Sequence, residues 1–322
     1  MIIKPNDKYI RYTGRWNVDE ESAVSSANGN YFEFSYVGSM AVIAFDTRLI
    51  QKPSPHIYIS VDNGAKIALP VDEYVRISGE EGTHHVKVIM KSSDERQNRW
   101  YTPIASACIF LGIEADGFSE LEEDKRKKIE FIGDSITEGI SIDVENESYY
   151  GNPSSMSFCD DSTAGYAWLT AEALNFRPYI MGYGCLGTTK SGGGDVPKVA
   201  ESYPCYSDGN PMESIGADYI VINHGTNDRL ATKEVFKAEY TNFLKIVRNR
   251  NKNSRIIALT PFSGCLAKEI QECVENHNKA MDDDIFYIDS TGWISAEPIH
   301  PDREGHKTVC KHLVEIFKNE IL

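Results

Sequence analysis

The chain has 322 residues, of which 41% are hydrophobic, 25% charged and 11% aromatic. This composition supports a globular protein and excludes a disordered or collagen-like chain, and at about 100 to 200 residues per domain the length suggests two domains. The formal net charge of −15 would repel phosphate backbones and anionic lipid surfaces, so we expect no nucleic-acid partner.

The ends and the cysteines of the chain indicate its compartment. Residues 1–16 lack the apolar segment of a signal peptide, and no stretch reaches the ~20 apolar residues of a membrane span. The seven cysteines form no CxxC pair and have no zinc-like spacing to histidines. We therefore expect a cytoplasmic protein with reduced thiols, no membrane association and no metal. The alternative is a secreted protein whose signal peptide is missing from this sequence.

Residues 8 to about 113 consist of short runs of β-branched and aromatic residues, among them YFEFSYVG and HIYISVDNG. Alternation in the first run places Phe32, Phe34 and Tyr36 on one face of a strand. The segment 62–64, Asp-Asn-Gly, offers the positive-φ positions of a tight hairpin. The pattern predicts an all-β domain at residues 1–120, built as a two-sheet sandwich or jelly roll, which stabilises the second domain or walls its cleft.

A charged segment between Glu114 and Lys128 shows no apolar period and marks the domain boundary. After it, apolar strands such as KIEFIG and ADYIVINHG alternate with longer helical stretches such as VFKAEYTNFLKIVRN. This alternation predicts an α/β domain at residues 121–322, with a mainly parallel sheet covered by helices on both faces.

Three loops after predicted strands combine glycine with small polar residues: GDSIT at 133–137, GCLGT at 184–188 and GTND at 225–228. Ligands of open α/β sheets bind beyond the carboxyl ends of the strands, where such loops lie. Ser135 stands at the start of a helix, where its hydroxyl can be exposed and its backbone N–H joins the donors of the helix N-terminus. We expect Ser135 to be a nucleophile; the alternative is that Asp134 or Ser135 only caps the helix.

The second and third loops offer donors for an oxyanion. The N–H of Gly187 can approach a substrate because glycine has no side chain, and Asn227 can supply a side-chain N–H. We expect Asp228 to brace its loop from behind. The structural alternatives are a turn-forming glycine and an Asx-turn. His224 precedes this loop near the end of a strand, and we expect it to be a hydrogen-bonded, partly buried residue outside the active site.

The predicted general base is His300, in a loop just before the last predicted helix. A neutral imidazole with a pKa of roughly 6 to 7 can accept the serine proton and return it to the leaving alcohol. A surface histidine in a proline-rich turn is the alternative, and His306 is expected to pack or cap. The group that orients the imidazole is Glu297, Asp289 or a backbone carbonyl, and the last would leave a Ser–His dyad.

Taken together, GDSIT, Gly187, GTND and His300-Pro301 match the ordered blocks of the SGNH (GDSL-like) hydrolase family, which the chain resembles over residues 128–322. The resemblance implies a three-layer α/β/α fold with Ser135 as nucleophile, His300 as base, and Ser135, Gly187 and Asn227 around the oxyanion. No metal or organic cofactor is expected. The family usually places aspartate three residues before its histidine, where this chain has Glu297, so the resemblance leaves the acid open.

A β-domain ahead of an SGNH domain also resembles family two of the carbohydrate esterases, on phrases such as YTGRW, FDTR and YISVDNG. This resemblance implies a serine esterase that removes acetyl groups from acetylated oligosaccharides. Trp293 is the tryptophan nearest in sequence to His300 and is predicted to line the substrate pocket, with a place in the core as its alternative. The alternative functions are an SGNH lipase or thioesterase for longer acyl chains and an inactive carbohydrate-binding protein.

Overall fold

The computed structural model describes residues 1–144 and 156–322. Residues 2–119 contribute nine strands that pair antiparallel into one sheet, so the predicted all-β domain is confirmed. The strands are β1 (Ile2–Ile3), β2 (Ile10–Thr13), β3 (Asn17–Val18), β4 (Ala23–Ser25), β5 (Tyr31–Phe45), β6 (His56–Val61), β7 (Ile67–Pro70), β8 (Tyr74–Ser92) and β9 (Cys108–Ser119). Their order is β3-β4-β9-β5-β8-β6-β7, with β1 on β9 and β2 on β5. The jelly-roll arrangement and the boundary at residue 120 stay predictions.

The long strand β5 joins the two halves of the molecule. Phe32, Phe34 and Tyr36 lie in the core of the N-terminal domain, as their alternation predicts. The opposite face is also buried, because Tyr31 packs edge-on against Trp168 of the second domain with 5.7 Å between ring centroids. Each face of this strand therefore contributes to a different core.

A tight hairpin connects β6 to β7, as the Asp-Asn-Gly segment predicts. Asp62 and Asn63 take left-handed backbone conformations with φ of 51° and 58°, and the Gly64 N–H donates to the Val61 carbonyl at 2.8 Å. The left-handed positions are thus filled by Asp and Asn, the non-glycine residues that tolerate them best.

The second domain is built on a parallel sheet of five strands, which confirms the prediction from the β/α alternation. Its strands and a small separate hairpin are β10 (Lys128–Gly133), β11 (Arg177–Gly182), β12 (Cys205–Ser207), β13 (Asn210–Pro211), β14 (Tyr219–Asn223), β15 (Arg255–Leu259) and β16 (Phe286–Ile288). The parallel strands run in the order β11-β10-β14-β15-β16, and β12 pairs with β13.

Helices cover both faces of this sheet, which gives three layers. They are α1 (Ser135–Glu138), α2 (Met156–Cys159), α3 (Tyr166–Ala173), α4 (Val199–Ser202), α5 (Lys233–Arg250), α6 (Ala267–Met281) and α7 (Arg303–Ile316). In β14, Ile220 and Ile222 pack with α5 and α6 on one face, while Tyr219 and Val221 pack with α3 and α7 on the other. Among the described helices, none combines the length and apolarity needed to cross a membrane.

Candidate active site

Ser135 begins the short helix α1 directly after strand β10. Asp134 is the N-cap residue, and its Oδ1 accepts the Ile136 N–H at 3.0 Å. The cap predicted as an alternative role is therefore filled by Asp134, which leaves the Ser135 hydroxyl for another partner. Gly133 can only be glycine here, because a Cβ would lie 2.0 Å from the Thr137 hydroxyl oxygen.

His300 supplies that partner. Its Nε2 lies 2.8 Å from the Ser135 Oγ, although 165 residues separate the two in the chain. Burial lowers the pKa of His300 from 6.5 to about 4, below the range of roughly 6 to 7 that holds for a mildly perturbed imidazole. The imidazole is therefore neutral at neutral pH and can accept the proton of the serine hydroxyl.

The two other histidines considered for the site lie in the core. His306 is fully buried, and its Nδ1 accepts the backbone N–H of Tyr166 at 3.0 Å. His224 is also fully buried and packs edge-on against Phe243, with 5.9 Å between ring centroids. Burial lowers the pKa of both side chains, as it does for His300. The packing of His306 agrees with the expectation from the sequence, whereas His224 is buried completely rather than partly.

Asn227 connects the three glycine loops. It sits in a 3₁₀ turn, Thr226–Asp228, after strand β14. Its side-chain Nδ2 donates to the Leu186 carbonyl at 3.0 Å and to the Asp134 Oδ2 at 3.3 Å. The amide is therefore held between the nucleophile loop and the loop of Gly187; its role as an oxyanion donor stays a prediction, and that role requires one of these two bonds to be shared or released. Burial raises the pKa of Asp134 to about 7.

Gly187 packs against the carboxylate of Asp228. A Cβ on Gly187 would lie 2.7 Å from the Asp228 Oδ1, so a larger residue would displace that carboxylate. Asp228 accepts the backbone N–H groups of Thr188 and Thr189 at 3.1 and 2.7 Å, and thereby braces the second loop. The Gly187 N–H itself donates to the Lys190 carbonyl at 3.0 Å. Its role as an oxyanion donor stays a prediction, and that role requires this bond to be shared or released during the reaction.

The family of the chain follows from these blocks and from its overall sequence. The family model of GDSL-like lipases and acylhydrolases matches residues 131–308, more than half of the chain. The chain belongs to the GDSL-like lipase/acylhydrolase family. The family resemblance stated from GDSIT, Gly187, GTND and His300 is therefore confirmed.

Similarity to known proteins extends into the N-terminal domain. The cellulase/esterase CelE of Acetivibrio thermocellus is 24% identical over 97% of this chain, which spans only 39% of that protein's length. The acetylxylan esterase / glucomannan deacetylase of Cellvibrio japonicus is 27% identical over 79% of this chain and 69% of its own. A family two carbohydrate esterase from Cellvibrio japonicus shares the fold, with a TM-score of 0.81 at 17% identity over 99% of this chain and 97% of that chain. The likeness to family two is confirmed.

The GDSL-like family's usual acid position is occupied by Glu297, and the structure places this residue at the surface. Its side chain is exposed, and its backbone N–H and carbonyl both bond the Ser295 hydroxyl, at 3.2 and 2.6 Å. Asp289 is also exposed and bonds the N–H and hydroxyl of Thr291. The role of Glu297 as the residue that orients His300 stays a prediction.

Trp293 lies at the edge of the core, close to the last helix. Its indole stacks on Phe262 and on His312, with ring centroids 6.4 and 4.8 Å away. It therefore packs the loop before α7 against the domain. Its role in lining the substrate pocket stays a prediction.

A small cavity is lined by sequence neighbours of the candidate catalytic residues, and sequence reasoning did not find it. Its volume is about 10 Å³, and its lining residues include Ile136, Thr226 and Ile299, which are the chain neighbours of Ser135, Asn227 and His300; the others are Phe262, Ser263, Ile294, Ser295 and Ala296. A cavity of this size is at the lower limit for holding one water molecule. Ile136 and Ile299, the apolar neighbours of Ser135 and His300 in the chain, were the signal in the sequence, but nothing local shows that they meet.

Proposed function

We propose that the chain is a serine esterase that removes acetyl groups from the hydroxyls of acetylated oligosaccharides. The observation that carries this proposal is the 2.8 Å contact between the Ser135 Oγ and the Nε2 of a His300 whose lowered pKa keeps it neutral. Membership of the GDSL-like lipase/acylhydrolase family supports ester hydrolysis, and the names of the similar proteins support acetylated carbohydrate as substrate.

The reaction proceeds through an acyl-enzyme. The Ser135 Oγ forms a bond to the ester carbonyl carbon while its proton moves to His300 Nε2. The negative charge on the carbonyl oxygen is stabilised by the Ser135 and Gly187 N–H groups and the Asn227 amide. As the bond to the sugar oxygen breaks, His300 gives its proton to that oxygen. Water then attacks the acetyl-serine by the same route, and acetate leaves.

The name of one similar protein, an acetylxylan esterase / glucomannan deacetylase, supports acetate as the acyl group. The alternative of a lipase or thioesterase for longer chains predicts activity on octanoyl esters, and the proposed acetylesterase should reject them. An inactive binding protein is disfavoured because the serine and histidine are in hydrogen-bond contact.

The test compares the wild type with Ser135→Ala. The variant should keep its thermal melting temperature and lose turnover of 4-nitrophenyl acetate by about 10³-fold or more, because the nucleophile is gone. Mass spectrometry of acetylated xylo-, manno- and gluco-oligosaccharides before and after incubation then identifies the substrate and the acetyl position. Activity retained by Ser135→Ala, or glycan binding without any acetate release by the wild type, would contradict the proposal.

We further propose a jelly-roll-like wrapping of the N-terminal sheet and a cytoplasmic location. Register shifts within β5, between Gly38 and Met40 and again before Phe45, support the first, since bulges bend a strand. The seven cysteines, all of them free thiols, support the second because reduced thiols are typical of the cytoplasm. Detection of disulfides in protein isolated from its native cells would contradict the location.

A further inference from the structure

A buried polar cluster connects the N-terminal domain to the helix that carries the nucleophile. Glu138 is the last residue of α1, one turn after Ser135, and its side chain is completely buried. Its Oε1 accepts hydrogen bonds from the guanidinium of Arg99 and, at 2.8 Å, from the amide of Asn28. Both donors belong to the N-terminal domain. A helix of four residues has little stability of its own, so such contacts determine its orientation.

Arg99 also contacts the loop that carries Gly187. Its guanidinium carbon lies 5.0 Å from the centroid of the Tyr183 ring, and the Tyr183 carbonyl accepts the Leu186 N–H at 3.2 Å. The backbone N–H of Arg99 donates to the Gly194 carbonyl at 2.8 Å. One side chain thus touches both the nucleophile helix and the loop that follows strand β11.

The backbones around this cluster approach too closely to slide past one another. A Cβ on Gly182 would lie 2.5 Å from the Glu138 backbone nitrogen, and a Cβ on Gly194 would lie 2.4 Å from the Gln97 carbonyl oxygen. Packing this close transmits a displacement of Arg99 directly to its neighbours, because close-packed interiors have little room to relax.

Stability alone gives no reason for a charged pair at this place. Arg99 and Glu138 are both 0% exposed, and removing two charges from water costs about as much as their attraction returns. Apolar residues of similar volume often fill such a space equally well. The pair instead fixes the relative orientation of the groups it joins, because a planar guanidinium donates hydrogen bonds to a carboxylate in a defined geometry and stacks on an aromatic ring.

We propose that Arg99 is a positioning residue for the esterase reaction: by joining Glu138 to Tyr183 it holds Ser135 and the Gly187 loop in their reactive arrangement. This inference rests on the proposed function. It makes the N-terminal domain part of the catalytic apparatus, beyond the stabilising or wall-forming role expected from the sequence.

The principal variant is Arg99→Met, which keeps an unbranched apolar stem and removes the guanidinium with its donors. Its kcat on 4-nitrophenyl acetate, per folded molecule, should fall about 100-fold, the loss expected when reacting groups move by about 1 Å, while KM changes little. Modification of Ser135 by a fluorophosphonate probe should slow in parallel. Arg99→Lys keeps the charge and should recover part of kcat.

Arg15 provides a matched control. It is another buried arginine of the N-terminal domain, and its Nη1 lies 4.0 Å from the Oε1 of Glu130, a buried residue of strand β10. Glu130 precedes Ser135 by five residues of extended chain, roughly 16 Å at the rise of a strand, so it does not touch the nucleophile helix. Arg15→Met should lower the melting temperature as Arg99→Met does, and should leave kcat per folded molecule close to that of the wild type.

The double variant Arg99→Met/Glu138→Gln separates positioning from folding. Removing both charges leaves no uncompensated buried carboxylate, so the melting temperature should recover relative to Arg99→Met while kcat stays low. If Arg99→Met does not fold, the double variant and Arg99→Lys carry the test.

Three results would overturn the inference: an unchanged kcat per folded molecule in the Arg99 variants, recovery of both kcat and melting temperature in the double variant, or an equal loss of kcat in Arg15→Met. A wild type without activity on any acetyl ester would instead contradict the proposed function. In that case the rate of Ser135 modification still decides the role of Arg99, since it needs no ester substrate.

Discussion

The pH dependence of turnover gives the sharpest test of the site. His300 must be neutral to accept the serine proton, and burial lowers its pKa to about 4. At pH 5.5 such an imidazole is about 97% neutral, whereas a histidine with its ordinary pKa of about 6.5 is about 9% neutral. We therefore expect kcat/KM at pH 5.5 to be about ten times the value that a histidine with its ordinary pKa would allow. As the pH is lowered, kcat/KM should fall to half of its plateau value near pH 4.

The assay measures initial rates of acetate release between pH 3.5 and 8, with circular dichroism at each pH to confirm that the protein stays folded. Asp134 lies beside the serine, and its pKa is raised by burial to about 7, so its titration can add a step near neutral pH. The same profile for Asp134→Asn should lack that step and keep the fall near pH 4. A fall in rate centred near pH 6.5 in folded wild type and in this variant would refute the assignment of a buried, neutral base.

Three further predictions follow from contacts around the site. Gly187→Ala should lower kcat by about 10²-fold or more, because the new Cβ would displace the Asp228 carboxylate and disturb the oxyanion loop. The control Gly117→Ala should remain active, because its Cβ would meet only an ordinary contact at 3.6 Å. Equal kcat values for the two variants would contradict this prediction. Glu297→Gln should keep most of the wild-type kcat because that side chain is exposed, and a loss of about 10⁴-fold would instead establish a triad. Trp293→Ala should lower the free energy of unfolding, measured by urea denaturation, by about 2 kcal/mol, because two ring contacts are lost. Its KM should stay nearly unchanged. A large rise in KM without destabilisation would show that the indole binds substrate.

Much of the site could be predicted because its signals are local. A glycine and a small polar residue directly after an apolar strand can be recognised in the sequence alone. Parallel strands then bring the loops at their carboxyl ends to the same edge of the sheet. This pattern points to Ser135, Asn227 and Asp228, and the structure places their loops in contact through the Asn227 amide. The hydrophobic pattern of residues 121–322 likewise predicted the parallel sheet, because short apolar strands and longer amphipathic helices alternate along this part of the chain.

Other features could not be predicted because they depend on what packs against a residue from far along the chain. Local rules place a glutamate such as Glu138 on a solvent-exposed helix surface, yet it is buried against Arg99, which lies 39 residues earlier in another domain. The alternation in β5 predicted one buried face, and the second is buried because Tyr31 meets the other domain. The nearness of Trp293 in sequence to His300 likewise did not reveal its stacking on Phe262 and His312, which come from other segments.

The sequence by itself determined the two-domain order, the secondary structure of each half and the residue types of a serine hydrolase, because all of these reside in short patterns of polarity, glycine and strand length. Only the tertiary structure decided which side chains are buried away from water, how they are oriented and how their pKa values shift. The 2.8 Å contact of His300 with Ser135, the lowered pKa of that histidine and the burial of Arg99 against Glu138 all arise from the approach of distant segments, whose desolvation no local pattern records.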